Sequence, residues 1–489
     1  MAKIVIMGGG VSGHTSASFL RKWLGKKHEV IVVTPNSLWN WIPSNIWVGV
    51  GAMSKKEVTF PLAPVYKKAG IDYRQAKALS IHPEGNDSDE TPFITVEYTG
   101  QNRVGQTEEI TYDYLINATG PKLNFDATPG LGNGKGDMGE HTVSVCTADH
   151  ALHAADELNK CIEKMKAGEE QTFLIGTGHG MCTCQGAAFE YIFNIEHELK
   201  NAGVRDKAKV VFITNASFLG DFGMGGLHFN MGGFAMSSKI FAESLYAERD
   251  MSWISGVHVN RVEEGKVTYE ALDGSTGEQE FDFAMLIPPF AGVGFKAYAK
   301  DNSDITSTLF APNGFMKVDA DYSPKPYEEW KSSDWPRTLQ NPTYKNIFAV
   351  GIAFAPPHGI SKPMKSPNGT PINPTPPRTG MPSAMMGKAV AQSIVDMIKG
   401  ATEPTHTASM AEMGAACVAS AGKGLFTGTA AAMTVYPIVP DFEKYPGVGR
   451  DMKQTTGELG LAAHWVKHIL HHLFIWKAKL RPGWTLIPE

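Results

Sequence analysis

The sequence predicts an α/β protein with two Rossmann-like dinucleotide-binding domains and a separate C-terminal segment. Three observations support this fold class. An apolar strand at Lys3–Met7 runs into a glycine-rich loop, a helix over residues 14–26 and a second strand over residues 29–33. A strand over residues 172–175 runs into another glycine-rich loop and helix. The last 31 residues have a basic, tryptophan-containing helical pattern.

Length and composition fit a folded protein of several domains. The chain has 489 residues, 42% of them hydrophobic and 19% charged. We expect a discontinuous first domain (1–120 and 284–400), a second domain (121–283) and a C-terminal region (401–489). The net charge of −5 does not indicate a nucleic-acid partner. Five cysteines are too few for a disulfide scaffold.

The first glycine loop has the spacing Gly8-x-Gly10-x-x-Gly13, directly after a strand and at the start of a helix. The first glycine makes the turn, the second lets the backbone approach a diphosphate, and the third lets helix and strand pack closely. Free N–H groups at the helix N-terminus bind the anion. The usual acidic ribose ligand is absent, so we expect Thr34 or Asn36 to hydrogen-bond the ribose instead.

The second glycine loop departs from the dinucleotide pattern. After Gly176 and Gly178, the third glycine position is Met181, whose side chain would obstruct close packing of helix and strand. Cys182 and Cys184 follow at the helix start, where a thiolate is stabilised by the helix dipole. We therefore interpret this loop as a redox cysteine site rather than a nicotinamide site.

Three cysteine contexts resemble one family. They are Val145-Cys146-Thr147, Cys184-Gln185-Gly186 and Ala416-Cys417-Val418. Together with the segments at residues 41–51, 288–292 and 378–380, they resemble sulfide:quinone oxidoreductases of the disulfide reductase superfamily, which have a glutathione-reductase-like fold. The resemblance covers essentially the whole chain.

The resemblance implies a role for each cysteine. Cys184 and Cys417 would form the redox pair beside the flavin, and Cys146 would lie near the flavin edge, with covalent and non-covalent attachment of FAD both left open. Glu190, His150 and His228 match residues linked to proton transfer. Structural roles are left open for the two histidines, and an ion-pair role for Glu190. Cys161 and Cys182 are expected to be ordinary core cysteines.

The resemblance also implies FAD contacts at strand and helix ends. These expected contacts are Ala118, Thr119, Gly120, Pro289, Gly351, Arg378, Thr379 and Gly380. Arg378 stands where the family usually has lysine, so the charge is kept but the geometry differs. Eight prolines in residues 356–377 predict an irregular loop, either covering the sulfide side or solvated.

The C-terminal segment is predicted to be an amphipathic helix in a membrane interface. Lys467, Lys477 and two further basic residues lie in a stretch free of acidic residues between 458 and 489. An apolar stripe recurs at helical spacing beside them. The expected quinone or membrane contacts are Trp465, Leu470, Phe474, Trp476 and Trp484, although the family has an aromatic ring where this chain has Leu470.

These observations predict a peripheral membrane flavoenzyme that oxidises sulfide to polysulfide or elemental sulfur and reduces a quinone. We expect the protein to lie on a bacterial cell membrane, to have no cleaved leader and to form a homo-oligomer, either a dimer or a trimer. Three alternatives are left open: a type-II NADH:quinone dehydrogenase, the flavin subunit of a soluble sulfide dehydrogenase, and a non-catalytic flavin-binding protein. An intact second glycine fingerprint would favour the NADH dehydrogenase. An export signal, together with the absence of the C-terminal helix, would favour the soluble sulfide dehydrogenase.

Overall fold

A computed structural model describes residues 1–183, 185–378 and 380–489. The strands of the first part of the chain are β1 (Lys3–Met7), β2 (Glu29–Thr34), β3 (Leu38–Asn40), β4 (Thr59–Pro61), β5 (Asp72–His82), β6 (Phe93–Tyr98), β7 (Thr107–Thr111), β8 (Tyr114–Asn117) and β9 (Lys122–Leu123). Those of the middle part are β10 (Gln171–Thr177), β11 (Ala208–Thr214), β12 (His228–Met231), β13 (Phe234–Ser237), β14 (Ser252–Ser255), β15 (Val257–Glu263), β16 (Lys266–Ala271), β17 (Thr276–Glu280) and β18 (Phe283–Ile287).

The remaining strands are β19 (Phe290–Ala291), β20 (Lys296–Ala297), β21 (Ile347–Ala349), β22 (Ala415–Ala421), β23 (Thr429–Val435) and β24 (Gly457–Gly460). The α-helices are α1 (Val11–Leu24), α2 (Asn45–Val48), α3 (Lys55–Val58), α4 (Leu62–Ala69), α5 (Ala148–Lys166), α6 (Gln185–Asn201), α7 (Ser238–Ala247), α8 (Thr306–Leu309), α9 (Gly380–Ile398) and α10 (Leu461–Ala478).

The first sheet has the order β21-β8-β1-β2-β5-β6-β7, with β20 also paired to β5. Strands β21, β8, β1, β2 and the start of β5 are parallel, and β6 and β7 continue antiparallel. The central strands are buried and rich in Val and Ile, as expected for a parallel sheet covered on both faces. Helices α1 and α9 pack side by side beneath its glycine loop.

The second sheet is parallel, in the order β14-β11-β10-β18. Strand β18 lies almost wholly beyond residue 283, where the sequence placed the return to the first domain. It pairs with β10, and its continuous run of buried apolar residues completes this sheet. The predicted domain limits stay predictions. The short pair β9–β19 connects the two sheets.

The C-terminal region forms a three-stranded antiparallel sheet, β22-β23-β24, followed by α10. Strand β22 packs on α6 of the second sheet's unit, and α10 packs across β22 and β23. In the part of the chain that the structure describes, no helix has the combination of length and hydropathy needed to cross a membrane.

Helix α10 is also attached to the first sheet's unit. His14 Nε2 donates to the carbonyl of Ala478 at 2.8 Å, and its Nδ1 lies 3.0 Å from the Tyr66 hydroxyl. His471 Nδ1 lies 2.9 Å from the Ser44 hydroxyl. Burial lowers the pKa of both histidines to about 4, so both are neutral near pH 7.

Acid is expected to loosen this attachment. A histidine whose folded-state pKa is depressed stabilises the fold above its unfolded pKa, about 6.5, and loses that stability as pH falls toward 4. As the pH falls from 7.5 to 5, each of His14 and His471 then lowers the free energy of unfolding by about 2 kcal/mol. Thermal unfolding should show a falling Tm over this range and a shallower fall in His471→Gln. If Tm fell equally steeply with pH in the wild-type protein and in His471→Gln, a neutral, buried His471 would be contradicted.

Candidate functional site

The first glycine loop has the geometry that a diphosphate requires. Gly8 has a φ of +107°, and a Cβ there would lie 2.2 Å from the Ala118 carbonyl oxygen. A Cβ at Gly13 would lie 2.0 Å from the Gly8 carbonyl oxygen, so only glycine lets α1 approach β1 this closely. Around Gly10 there is open space, with no atom within 4 Å of an added Cβ. The three glycines therefore have the three separate functions that the fingerprint requires.

Other predicted FAD contacts lie around the start of α1. The Thr34 side chain lies beside the loop, with its methyl group 2.9 Å from where a Cβ of Gly9 would be. A Cβ at Gly351 would lie 2.2 Å from the Ser12 hydroxyl. The residues after β8 are fixed because Asn117 Oδ1 accepts the backbone N–H and the hydroxyl of Thr119. These residues fit an FAD diphosphate and ribose, and their individual contacts stay predictions.

The predicted segment at residues 378–380 is described in part. The Arg378 side chain is buried, donates to the carbonyls of Ile352 and Phe354 at 2.9 and 2.6 Å, and lies over the Phe315 ring. Thr379 lies outside the described residues. Gly380 begins α9 and would place a Cβ 3.8 Å from the Trp41 ring. The contact of Arg378 with the flavin stays a prediction.

The crossover between the two sheets brings two more predicted segments together. Strand β9, two residues after Gly120, pairs with β19, and the Pro289 carbonyl accepts the backbone N–H of Asn124 at 3.0 Å. Gly120 has a φ of +69°, which favours glycine at this turn. Gly120 and Pro289 thus lie beside the β9–β19 pair, and their contacts with a flavin stay predictions.

Cys417 lies on β22, opposite Met433 of β23. Burial, and secondarily the negative charge of Glu190, raise the pKa of its thiol to about 11. A thiol with a raised pKa stays protonated near neutrality, so it needs a disulfide bond or a proton acceptor to react. Its predicted partner Cys184 lies outside the described residues, and in the sequence it directly precedes Gln185, the first residue of α6.

Glu190 fastens β22 to α6. Its Oε1 accepts the backbone N–H of Ser420 at 3.1 Å and the Ser420 hydroxyl at 2.7 Å. Its Oε2 lies 2.9 Å from Lys467 Nζ, and both side chains are more than 90% buried. One turn further along α6, Asn194 bonds the backbone at Ser420 and Gly422. The carboxylate is therefore an ion-pair partner, and its role in proton transfer stays a prediction.

Cys146 lies just before α5, next to the segment that precedes α2. Its backbone N–H donates to the Ser144 hydroxyl at 3.1 Å, and burial raises the pKa of its thiol. The neighbouring Val145 carbonyl accepts from Asn45, at 3.2 Å, which ties this loop to residues 45–48. Covalent attachment of FAD at Cys146 stays a prediction.

The two predicted histidines lie elsewhere. His150 Nε2 lies 3.1 Å from Asp137 Oδ1, and its ring meets Phe125 edge-on. His228 is exposed on the hairpin β12–β13. No hydrogen bond or ion pair recorded for the described residues joins either histidine to Glu190 or Cys417. Their roles in proton transfer stay predictions.

A proline-rich strap (residues 356–377) covers the second glycine loop. The Asn373 and Thr375 backbone N–H groups donate to the carbonyls of Gly180 and Cys182 at 2.7 and 3.0 Å. A Cβ at Gly180 would lie 2.1 Å from the Pro371 carbonyl oxygen. Backbone of the same chain thus packs directly against the second glycine loop, and the interpretation of that loop as a cysteine site stays a prediction.

The C-terminal helix exposes an apolar side, and its basic side faces inward. Lys467 and Lys477 are buried and ion-paired with Glu190 and Glu489. The exposed side is apolar, with Ile469 55% exposed. The other exposed apolar residues of α10 are Trp465, Val466, Leu473 and Trp476. The physical reason is that the buried acids need cations, so the polar side faces inward.

The predicted quinone and membrane residues differ in their exposure to solvent. Trp465 and Trp476 are exposed, and Leu470 is partly buried. Phe474 is buried, with its ring stacked 4.7 Å from Trp41. Trp484 packs 4.9 Å from Phe19 of α1. Sequence reasoning missed Lys467 as a site residue, because a lysine beside an apolar stripe is usually solvated.

The fold and the glycine loop define a two-domain flavoprotein of the disulfide reductase type. The family model for pyridine nucleotide-disulphide oxidoreductases matches residues 2–186. The sulfide-quinone reductase of Aquifex aeolicus is 32% identical over 482 residues, which are 98% of this chain and 92% of the relative. The mitochondrial sulfide:quinone oxidoreductase of Mus musculus is 22% identical over 71% of this chain and 65% of its own.

Solved structures agree. The X-ray structure of the Aquifex aeolicus sulfide:quinone oxidoreductase superposes with a TM-score of 0.74 at 30% identity, covering 98% of this chain and 92% of the other. NDH2 from Plasmodium falciparum, in complex with NADH, gives a TM-score of 0.60 at 14% identity over 98% and 96% of the two chains, which shows a shared fold alone. The chain belongs to the sulfide:quinone oxidoreductase family.

Alanine at two glycines should separate folding from cofactor binding. Gly13→Ala forces a Cβ against the Gly8 carbonyl, so we expect a loss of about 1–3 kcal/mol in folding stability together with loss of FAD. Gly10→Ala meets only open space, so the apoprotein should keep its Tm while its affinity for FAD falls. Differential scanning fluorimetry and FAD titration measure the two effects. Unchanged FAD affinity in Gly10→Ala would place the diphosphate elsewhere.

Proposed function

We propose that this protein oxidises sulfide at the pair Cys184–Cys417 and passes the electrons through FAD to a quinone. The carrying observation is the position of the partly buried Cys417 on a strand that Glu190 and Asn194 fasten to α6, the helix that Cys184 precedes in the sequence. Membership of the sulfide:quinone oxidoreductase family implies FAD and a quinone acceptor. The glycine loop of β1 and α1 supports the FAD part of the proposal.

The chemistry at the cysteines is thiol–disulfide exchange. Hydrosulfide attacks one sulfur of the Cys184–Cys417 disulfide, so a new S–S bond forms as the old one breaks. The products are a persulfide on one cysteine and a thiolate on the other, and FAD, when bound, would supply the acceptor for the two electrons of sulfide oxidation. Repetition lengthens the sulfur chain toward polysulfide or elemental sulfur. A carboxylate beside the pair, as Glu190 is beside Cys417, suits removal of the sulfhydryl proton.

The exposed side of α10 supports docking on a membrane surface, from which a lipid-soluble quinone would enter. A contiguous row of exposed Ile, Leu, Val and Trp side chains is unusual on a soluble surface and typical of interfacial helices. The hairpin tip between β22 and β23 extends this surface, with Leu425 and Phe426 exposed and the Leu425 carbonyl accepting from Trp465 Nε1 at 2.7 Å.

The strap supports this function over NADH oxidation. A type-II NADH dehydrogenase would need its second glycine loop open, and the hydrogen bonds from Asn373 and Thr375 cover it here. Sulfide, a small anion, needs only an opening to a sulfur atom. The choice of sulfide as substrate would therefore depend both on the strap, which excludes NADH from the second glycine loop, and on the cysteines, which react with sulfide.

Anaerobic flavin bleaching tests the proposal. Sulfide should reduce the bound flavin and a soluble quinone analogue should reoxidise it, while NADH at the same concentration should leave the spectrum unchanged. Cys417→Ser and Cys184→Ser should retain FAD and lose sulfide bleaching, because serine forms no disulfide. The matched control is Cys161→Ser, a buried cysteine on α5.

Two results would contradict the proposal. One is sulfide turnover that persists in Cys417→Ser with FAD bound. The other is bleaching of the wild-type flavin by NADH but not by sulfide, which would favour the NADH dehydrogenase instead.

Charge on the exposed side of α10 should release the protein from lipid. Each large apolar side chain removed from water contributes about 1.5–3 kcal/mol, so Ile469→Glu with Leu473→Glu should lower vesicle binding at least about tenfold. Both positions face away from the protein core, so Tm and sulfide bleaching should be retained. Cosedimentation with phospholipid vesicles measures the effect. Wild-type binding by the double variant would assign the membrane contact to another surface.

A further inference from the structure

Lys467 connects the C-terminal helix to β22, the strand that contains Cys417 and is called the redox strand below. Its ammonium lies 2.9 Å from Glu190 Oε2 and 3.0 Å from the Pro43 carbonyl oxygen, and the Trp47 ring lies below it. Glu190 in turn holds Ser420, three residues after Cys417 on β22. One cation thus joins α10, α6, β22 and the segment preceding α2.

A carboxylate in this position depends on its cation. Glu190 is 5% exposed, and a buried carboxylate without a compensating charge takes up a proton, because the ionised form loses its hydration. A protonated Glu190 would have no negative charge with which to accept a proton from the sulfur chemistry beside it. Lys467 provides the compensating positive charge for this carboxylate and fixes its direction.

Building on the proposed function, we propose that Lys467 is a positioning residue for sulfide oxidation, which acts by keeping Glu190 ionised as the proton acceptor beside Cys417. The lysine touches neither sulfide nor a reacting sulfur in this assignment; it acts through the carboxylate. Because Lys467 belongs to α10, the packing of α10 on the protein and the position of the Glu190 carboxylate beside β22 depend on the same ion pair.

The surrounding titratable groups do not supply this function. Burial lowers the pKa of His471 to about 4, and the pKa of the Cys417 thiol is raised to about 11, so neither exchanges protons near neutrality. Burial also lowers the pKa of His464 and His468. The titratable groups on the elements packed around the pair are Cys417 on β22, Tyr191 and His197 on α6, His464, His468 and His471 on α10, and the ion pair Glu57–Lys423.

The test is the pH profile of flavin reduction by sulfide, followed by anaerobic stopped flow in the FAD-loaded full-length protein. Lys467→Met should move the acid limb of the profile upward by about one pH unit or more, because loss of an opposite charge favours the protonated carboxyl. The rate should recover at alkaline pH. Lys467→Arg keeps the charge and should restore most of the wild-type profile.

A matched control lies ten residues further along the same helix. Lys477 is also buried and ion-paired, but with Glu489, so Lys477→Met removes an equivalent lysine of α10 at a distance from Glu190. Its pH profile should coincide with that of the wild type. A shared shift in both lysine variants would show a general effect of α10 on the protein and overturn the proposal.

A double variant covers the case in which Lys467→Met folds poorly. Glu190→Gln removes the acceptor and should flatten the acid limb, and adding Lys467→Met should then change nothing further, because the lysine acts only through the carboxylate. An additional loss in the double variant would overturn the inference. The inference would also be overturned if Lys467→Met slowed flavin reduction by the same factor at every pH, or if it altered only the reoxidation of the flavin by quinone.

Failure of this inference is distinguishable from failure of the proposed function. If sulfide bleaches the wild-type flavin and Cys417→Ser abolishes bleaching, the function stands whatever the lysine variants do. If sulfide never bleaches the wild-type flavin, the function falls, and Lys467 has no sulfide chemistry to support.

Discussion

The arrangement of the redox region depends on a single constraint: the carboxylate of Glu190 is buried and must be compensated. An isolated charge in a protein interior costs several kcal/mol, so the donors around it are fixed by necessity rather than by propensity. These donors come from Ser420 and Lys467, 230 and 277 residues further along the chain. A helix of the second sheet's unit thereby determines where the C-terminal strand and the C-terminal helix must lie.

The inward direction of the polar side of α10 follows from that constraint. A helix whose cations and histidines serve buried partners must turn its apolar side outward, and the outward side is then available to lipid. The same helix reaches the flavin-binding unit at its other end, through the Ala478 carbonyl and His14, the residue that follows the last fingerprint glycine. Aromatic stacking of Phe474 on Trp41 reinforces that end. One element therefore contacts the flavin unit, the redox strand and the outer surface.

The sequence was sufficient for the fold class because its signals are local. A run of buried β-branched residues, a glycine spacing and a helix start are read from neighbouring positions, and the first βαβ unit follows with shifts of a few residues: α1 begins at Val11, directly after Gly10, because that glycine is the N-cap. The family resemblance was carried by equally local cysteine contexts, and it led to the correct family.

The parts that the sequence did not predict are those set by distant partners. Lys467 is one example, because a lysine beside an apolar stripe is usually solvated and its burial here depends on the position of Glu190 on another helix. In the same way, eight prolines predict irregular chain between residues 356 and 377 but contain no information about its destination. The pairing of β18 with β10 is likewise set by a distant partner, because an apolar run of residues does not specify which strand lies beside it.

The strap closes the glycine loop of the second Rossmann-like unit. A glycine loop that binds a dinucleotide must keep its face open, whereas the carbonyls of Gly180 and Cys182 are here satisfied by Asn373 and Thr375. Unpaired buried carbonyls are costly, so closing the loop with the protein's own backbone stabilises the turn from which α6 starts. The helix start is then free to hold a cysteine in the sequence position directly before Gln185. The electron path proposed for a cysteine directly before α6 therefore starts from a loop that the protein's own backbone holds closed.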